Sequence, residues 1–421
     1  MLQLWFVANT VLWPFSIKVG GLTLGLNMIA LLLAGTVWLG RRWKISVLSA
    51  RIFAALLVYM VFSWFLALAG TCDDKFLKAA LTAPILLLLV LIGSEAGHRA
   101  SCSDWIKLEK TVVWVLLSAF LGFAAEMIFP QRFTFQSIYR ATGKYSGIFQ
   151  EPSHVAFSLF PCVAILFVAE SKRSRRIGMA ALLGLLVFSR SSTLIALIAA
   201  WLLYRLVIQR KIRQAVLLVV GAASLIAVAS AINYDALVAP TIERVVGIGA
   251  SDQTDNVSSL VYVQGWEDTW ANLLRTHGRG LGINMMGCSP LPDDSARALL
   301  SAMGIEGLNA EDGSFLFAKV VSETGLAGIA FYIVIIWWWV GLERQLIHVE
   351  GEVAHTAVAI QAAIVFCFVA SSFIRGAGYF SGGLLLCVAA VSGASKCRQQ
   401  HAAKPNTGQS RLEQPGAIRC A

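Results

Sequence analysis

Four arginines with the chemistry to bind phosphate stand in short polar stretches between the apolar segments of this chain. They are Arg140, Arg190, Arg279 and Arg375, each within a few residues of serine or glycine. A guanidinium group stays charged and binds phosphate through two parallel hydrogen bonds. Arginines contributed by several separate loops therefore predict a site for an anionic ligand that carries phosphate groups.

Three further residues could exchange protons with a ligand at such a site. Glu151 and His154 lie three residues apart, and they share a helical face if Pro152 begins a helix. Asp312 stands just before a long apolar segment. Carboxylates and imidazoles act as general acids and bases, and the order of preference is Glu151, His154, Asp312. The structural alternative is that Glu151 and Asp312 only complement helix N-termini.

Two other charged features are interpreted from their positions in the chain. Lys319 and Glu323 lie four residues apart, so we expect them to pair with each other on one helix. Arg190 lies in a tight turn after a short apolar segment. Its charge either lies below the headgroup level, which favours a function, or snorkels to lipid phosphate. We favour the function.

The elements that must position these residues are membrane-spanning helices. The 421-residue chain is 57% hydrophobic and only 14% charged, whereas a soluble domain carries about 25% charged residues. Its apolar runs are long and continuous, which selects helices over a barrel. We predict an all-α polytopic membrane protein with about 11–12 transmembrane helices of about 20 residues each and one large outer loop.

Basic clusters between the apolar runs set the predicted orientation. Lys172–Arg176 and Arg210–Arg213 mark cytoplasmic loops, and both chain termini fall on that side. The net charge of +10 therefore reflects membrane topology and some affinity for anionic lipid, and we predict no nucleic-acid partner. Several arginines break this bias and fall outside. They are Arg132, Arg140, Arg190, Arg244, Arg275, Arg279, Arg297 and Arg375.

The large outer loop is expected to contain short amphipathic helices. One apolar face recurs at three- and four-residue spacing within residues 260–275, and its two tryptophans are typical of the membrane interface. A second short helix is predicted at Asp294–Met303. The residues of the first face are Val263, Trp266, Trp270, Leu273 and Leu274.

The cysteines do not predict a metal site. None of the eight shows Cys-x-x-Cys or Cys/His spacing, so no metal and no cofactor are expected. Cys162, Cys367 and Cys387 lie inside apolar runs as small hydrophobic residues. The sequence does not favour a disulfide between Cys72 and Cys288, although both would face outside.

Four stretches, in this order along the chain, resemble the bacterial O-antigen polymerase and ligase superfamily, which includes capsule and exopolysaccharide polymerases. The resemblance spans about residues 20 to 395, and no single motif is specific. Many relatives, ligases especially, carry a His-Asn pair shortly before the last motif, where this chain has Glu311-Asp312-Gly-Ser314. The stretches are Arg140…Gly147-Ile-Phe-Gln-Glu-Pro-Ser153, Ser189-Arg190, Gly278-Arg-Gly-Leu-Gly282 and Glu323-Thr-Gly-Leu-Ala-Gly328.

This resemblance implies an enzyme of the bacterial inner membrane with its active site facing the periplasm. The substrate would be an undecaprenyl-pyrophosphate-linked oligosaccharide, whose glycan is transferred to a hydroxyl of a second lipid-linked repeat unit. The four arginines would stabilise the pyrophosphate, and Glu151, His154 or Asp312 would serve as the general base. The bilayer is a partner, and a polysaccharide chain-length regulator is a further one that the family suggests.

Three alternatives to a polymerase stay open from the sequence. A ligase would transfer the finished glycan to lipid A core, but the missing His-Asn pair counts against it. A flippase for lipid-linked oligosaccharide would carry mid-span charges and internal repeats, and neither is seen. A protein that only binds anionic lipid would not need Glu151 or His154 beside the arginines.

The expected organisation has four parts. Residues 1–232 form the N-terminal transmembrane helices, with a periplasmic loop at 130–152. Residues 233–313 form the large periplasmic loop, and residues 314–394 the C-terminal transmembrane helices. Residues 395–421 have the polar composition of a disordered cytoplasmic tail.

Overall fold

The structure is a computed structural model, and it is helical apart from one hairpin and the connecting loops. Arg140, Arg244 and Cys72, named above, lie outside the residues it describes, as does the predicted large loop before residue 257. The described residues are 1–12, 15–19, 22–41, 45–68, 73–133, 144–207, 257–288, 295–305, 307–349, 351–375 and 378–402.

The N-terminal half holds eight helices among the described residues. The first, α1, continues into a π-helical turn at Ala8–Leu12, and a hairpin of two antiparallel strands follows it. The elements are α1 Leu2–Val7, β1 Ser16–Val19, β2 Leu22–Gly25, α2 Leu26–Gly40, α3 Val47–Leu68, α4 Asp73–Arg99, α5 Cys102–Ile128, α6 Pro152–Val168, α7 Lys172–Ser189 and α8 Ser192–Val207.

The described C-terminal half begins with two amphipathic helices and ends with a helical core. The elements are α9 Val257–Arg275, α10 Ser295–Ala302, α11 Leu316–Thr324, α12 Leu326–His348, α13 Glu352–Ile374 and α14 Gly382–Ala402. The hairpin β1–β2 is a departure from the all-helical prediction, which placed residues 22–25 in a span.

Five of the described helices are long and apolar enough to cross a membrane, namely α3, α4, α5, α12 and α13. Shorter apolar helices, among them α2, α6 and α8, accompany them. The outward surfaces of the long helices are apolar, as expected where lipid replaces water. Examples are Val58 of α3, Trp114 of α5 and Trp337 of α12. The chain is therefore a polytopic helical membrane protein, as predicted.

Helix α13 forms the centre of the packing. It contacts α5, α6, α8, α12 and α14, and most of its side chains are buried. Small residues allow the close approach of α4 and α14, since a Cβ on Gly97 would lie 1.9 Å from the carbonyl oxygen of Ala389. This packing fixes the ends of α6 and α13, which carry predicted site residues.

The apolar segment Phe315–Leu342 does not form one continuous helix. Gly325 adopts φ 62° and ψ −137° and separates α11 from α12. A Cβ at this position would lie 2.0 Å from the carbonyl oxygen of Gly278, so only glycine fits. The rings of Phe317 and Tyr332 then meet at 5.0 Å, which shows that α11 folds back along the start of α12.

Candidate functional site

Glu151, His154 and Arg375 meet where α6 begins and α13 ends. Glu151 Oε1 lies 3.1 Å from His154 Nε2 and 2.8 Å from a guanidinium nitrogen of Arg375. The hydroxyl of Ser153 donates to the same carboxylate. Arg375 therefore joins the pair Glu151 and His154, which the sequence placed on one helical face, in one contiguous cluster of carboxylate, imidazole and guanidinium. We call these three residues the Glu151 cluster.

The local sequence explains why the carboxylate and the imidazole share a face. Pro152 is the first residue of α6, as predicted, because its fixed φ suits that position and its missing N–H is not needed there. Glu151 has extended backbone geometry, and its side chain makes no capping hydrogen bond to the helix. Glu151 is therefore the N-cap residue of α6, as the structural alternative expected, but its carboxylate binds His154 and Arg375 and makes no capping bond to the helix.

The side chains of the Glu151 cluster are partly exposed, and the neighbours of Glu151 lower the pKa of its carboxyl group. The side chains of Glu151, His154 and Arg375 are 19%, 18% and 37% exposed. Burial alone raises the pKa of Glu151, but the hydrogen bond and charge of His154, the charge of Arg375 and the Ser153 hydroxyl outweigh it and lower that pKa to about 2. Glu151 is therefore ionised at neutral pH while these partners remain.

Glu126, which sequence reasoning missed, holds the loop that leads to Glu151. It is fully buried near the end of α5, and its Oε2 accepts hydrogen bonds from the backbone N–H groups of Ser146 and Gly147 at 2.9 and 2.7 Å. Gly147 has φ 59°, and a Cβ there would lie 3.1 Å from the backbone nitrogen of Phe123. A single acid in an otherwise apolar run was the available signal.

Arg190 lies in the turn that supports the same loop. It ends α7 with left-handed φ 44° and ψ 39°, a conformation that is uncommon for a residue other than glycine. Its Nε donates to the carbonyl of Val187 at 3.3 Å. The backbone N–H of Tyr145 donates to the carbonyl of Phe188 at 2.9 Å, so the Arg190 turn and the loop before Glu151 are joined.

A second cluster around a glutamate lies at the start of the C-terminal core, and its side chains are buried. The predicted pair forms: Lys319 Nζ lies 3.1 Å from Glu323 Oε1. The Tyr379 hydroxyl and the backbone N–H of Asn284 donate to Glu323 Oε2, the latter at 2.7 Å. The N–H of Met286 reaches Oε1 at 3.3 Å. Both carboxylate oxygens are thus satisfied internally. We call Glu323, Lys319 and Tyr379 the Glu323 cluster.

The glycine-rich turn around Arg279 packs on the chain beside Glu323. The N–H of Gly282 donates to the Glu323 carbonyl at 2.8 Å, and a Cβ on Gly280 would lie 2.5 Å from that oxygen. These glycines permit close backbone packing, which leaves the Arg279 side chain exposed. Its Nε donates to the Thr276 carbonyl at 3.2 Å.

Asp312 is exposed, and no hydrogen bond or ion pair between described residues joins its side chain to the Glu151 cluster. Its neighbour Glu311 pairs with Lys75 and Lys78 of α4 at 3.3 and 3.2 Å. Burial alone raises the pKa of Glu311, but the two lysines outweigh it and lower that pKa. Among the described residues, no hydrogen bond or ion pair joins Asp312 or Arg279 to the three residues that meet.

Cys288 is disulfide-bonded, and its partner is none of Cys102, Cys162, Cys367 and Cys387, which are free. The expectation that Cys72 does not pair with Cys288 stays a prediction, because Cys72 lies outside the described residues. The turn that ends at Cys288 is held against α4, because Lys75 Nζ donates to the Met286 carbonyl at 3.0 Å. Tertiary packing therefore fixes the position of Cys288 in a way that the spacing of the cysteines did not reveal.

Within the described part of the chain, no group of three or more His, Cys, Asp or Glu side chains could hold a metal ion. The comparison with protein-family models and with curated proteins finds no match for this chain.

Proposed function

We propose that this protein is a polysaccharide polymerase of the bacterial inner membrane. It transfers glycan from an undecaprenyl-pyrophosphate-linked donor to a hydroxyl of a lipid-linked acceptor repeat unit at the periplasmic face. The observation that carries the proposal is the accessible Glu151 cluster at the ends of α6 and α13. It places an acid/base carboxylate within 2.8 Å of a guanidinium, and glycosyl transfer from a pyrophosphate needs both groups.

The roles in this reaction follow from the bonds of the cluster. The acceptor oxygen attacks the anomeric carbon of the donor sugar, and the bond from that carbon to the pyrophosphate oxygen breaks. Glu151 takes the hydroxyl proton, and His154 holds the carboxylate in place through Nε2. The leaving group, undecaprenyl pyrophosphate, departs as an anion that Arg375 stabilises.

Donor binding would itself activate the base. Arg375 helps to hold the pKa of Glu151 low, so an undisturbed Glu151 is a weak base. A pyrophosphate that competes for the guanidinium of Arg375 removes part of that stabilisation and raises the pKa of the carboxylate. Proton abstraction is then favoured only when the donor is in place.

The other predicted arginines extend this phosphate site in the proposal. Arg190 is held in a left-handed conformation, and backbone strain of this kind concentrates at functional sites. Arg279 is exposed beside Thr276, and Arg140 belongs to the proposal from the sequence alone. The Cys288 disulfide supports a periplasmic location of this face, because disulfides persist in oxidising compartments.

The finer architecture is part of the same proposal. It has about 11–12 spans of about 20 residues each and a large periplasmic loop over residues 233–313. A chain-length regulator remains a proposed partner. The ligase and the flippase are outcomes that the following experiment distinguishes.

The test deletes the gene in its host and separates lipid-linked and surface glycans on a gel. Loss of the polymer ladder, with single repeat units still attached to their acceptor, supports the polymerase. Loss of all attached glycan with accumulation of lipid-linked polymer indicates a ligase. Single units confined to the cytoplasmic face indicate a flippase and contradict the assignment of the arginines to catalysis.

Complementation then tests the site itself. Arg375→Ala should fail to restore the ladder, whereas Arg173→Ala, which removes an exposed arginine from α7, should restore it. Both variants must reach the membrane in equal amounts on an immunoblot. A full ladder with Arg375→Ala would exclude Arg375 from the site.

A further inference from the structure

Helix α9 exposes large apolar side chains, the reverse of an amphipathic helix that faces water. Its most exposed large hydrophobic side chains are Trp270 at 64% and Leu274 at 61%, one turn apart on the same face. Trp266, one turn earlier, is 39% exposed and packs against the rings of Phe315 and Phe317. We call Trp270 and Leu274 the apolar stripe. A water-facing amphipathic helix buries such a face and exposes its polar one. Beyond Leu260 and Val261 near its start, the side chains that α9 buries are instead polar, and they include Gln264, Asp268, Thr269 and Asn272.

The buried polar face of α9 is explained by its contact with α10. The guanidinium of Arg297 binds both oxygens of Asp268 at 2.7 and 2.9 Å. Glu267 accepts hydrogen bonds from the backbone N–H of Ala296 at 3.1 Å and from the hydroxyl of Ser295 at 2.6 Å. This accounts for Arg297, an outer arginine that needs no ligand, and it directs the apolar stripe away from the protein.

Both ends of α9 are fastened to the ends of membrane-spanning helices. The hydroxyl of Tyr262 donates to the carbonyl of Phe373, near the end of α13, at 3.0 Å. At the other end, the N–H of Leu326, the first residue of α12, donates to the carbonyl of Gly278 at 2.8 Å. The apolar stripe lies between these two points, so it lies at the level where α12 and α13 reach the membrane surface.

The chain that follows the apolar stripe contacts the start of α12, whose outward side is apolar. Leu326 and Trp337 of that span are 61% and 69% exposed, as lipid-facing residues are. Arg275 and Arg279 follow the stripe on the exposed surface. Aromatic and apolar side chains with basic residues just beyond them are the pattern of the membrane interface, where basic groups meet lipid phosphates.

We propose that α9 lies in the headgroup boundary of the bilayer and that its apolar stripe binds the acyl chains of membrane phospholipids. Arg275 then faces the lipid phosphates. The helix is a lipid-bound element of the outer surface and not part of a water-filled loop. This inference does not depend on the proposed function, because it rests on burial and contacts alone.

The test replaces single residues of the full-length protein with the photo-crosslinker p-benzoylphenylalanine. The protein is reconstituted in nanodiscs of phosphatidylethanolamine and phosphatidylglycerol, irradiated and analysed by mass spectrometry for phospholipid adducts. The probe is placed at Trp270 and, in a second variant, at Leu274. Trp337 of α12 serves as the lipid-facing control, and Leu308, an exposed apolar residue in the turn before α11, as the control outside the stripe.

We expect lipid adducts at Trp270 and Leu274 within about threefold of the yield at Trp337, and at Leu308 about tenfold lower, as depth in the interface requires. Yields at Trp270 and Leu274 no higher than at Leu308 would overturn the proposal. Crosslinking of Trp270 to a second protein chain instead of lipid would also overturn it, because the stripe would then be a protein interface.

Discussion

The Glu151 cluster and the Glu323 cluster are built from similar parts but differ in burial. In each, a glutamate oxygen lies 3.1 Å from a basic nitrogen one helical turn away. Glu323 is fully buried, and Lys319 is 4% exposed, whereas the side chains of Glu151 and His154 remain nearly a fifth exposed. Accessibility therefore separates a group that can meet a substrate from one that holds the fold together.

The partners of the two carboxylates differ in the same sense. Backbone N–H groups of Asn284 and Met286 contribute to the Glu323 cluster, and a substrate cannot displace these without unfolding the turn. Glu151 is bound by the ends of two side chains, His154 and Arg375. An anionic ligand can compete for them. Partners that a ligand can replace, and not the charge pair itself, therefore mark the candidate site.

The largest effect is expected from breaking the buried pair. Glu323→Ala leaves the ammonium of Lys319 buried without its carboxylate, and the loss of a partner from such a pair costs about 3–5 kcal/mol of unfolding free energy. Thermal unfolding of the purified protein in nanodiscs measures the change. A variant as stable as the wild type would show that the Glu323 cluster does not hold the turn to the core.

Glu151→Gln should instead remove activity with a smaller loss of stability than Glu323→Ala. The amide keeps the shape of the side chain but cannot take the proton of an acceptor hydroxyl, and loss of a general base lowers the rate about 10²- to 10⁴-fold. Polymerisation of lipid-linked repeat units in membrane vesicles measures it. Glu311→Gln, which alters an exposed ion pair, is the matched control and should retain full activity.

Retained activity in Glu151→Gln would transfer the role of base to another residue and remove the functional distinction between the two clusters. A loss of activity with equally low stability would also contradict the comparison, because Glu151 would then be structural like Glu323.

Acid should remove the stabilising effect of Glu151 in a defined pH range. The pKa of Glu151 in the folded protein is about 2, below its ordinary value of 4.5. A lowered folded-state pKa adds stability above the unfolded pKa, and this stability is lost as the pH falls through the folded pKa. The difference in unfolding free energy between wild type and Glu151→Gln should therefore shrink as the pH falls from 4.5 toward 2. A difference independent of pH would contradict the ion-paired state.

The smallest effect is expected at the most exposed ion pair. Glu311 is 55% exposed in its pairs with Lys75 and Lys78, and solvent screens such pairs. Glu311→Ala should lower the unfolding free energy by less than about 1 kcal/mol, with a smaller change at high salt. Thermal unfolding at two salt concentrations measures both. A loss as large as that of Glu323→Ala would show that exposure does not rank these clusters.

Local chemistry was predictable wherever neighbours in the chain decide it. The start of α6 at Pro152, the shared face of Glu151 and His154, and the Lys319–Glu323 pair all follow from helical spacing, and the structure confirms them. The site residues themselves remain a proposal, since their meeting in space does not test their function.

The failures share a different cause. The helix break at Gly325 depends on the approach of the Gly278 backbone, and the role of Glu126 depends on a loop that folds back onto α5. The polar side of α9 is buried because Arg297 arrives from α10. Each outcome depends on a chain segment that is distant in sequence, and spacing along one helix carries no information about it.

The amino-acid sequence by itself determined that this chain enters a membrane as helices, because continuous apolar runs must satisfy their backbone groups internally. It also determined which residues could pair within one helical turn. Only the tertiary structure decided that Arg375 joins Glu151 and that Tyr379 joins Glu323. The packing of α13 against α6 and α14 brings these residues together, and the burial that results decides which carboxylate stays accessible.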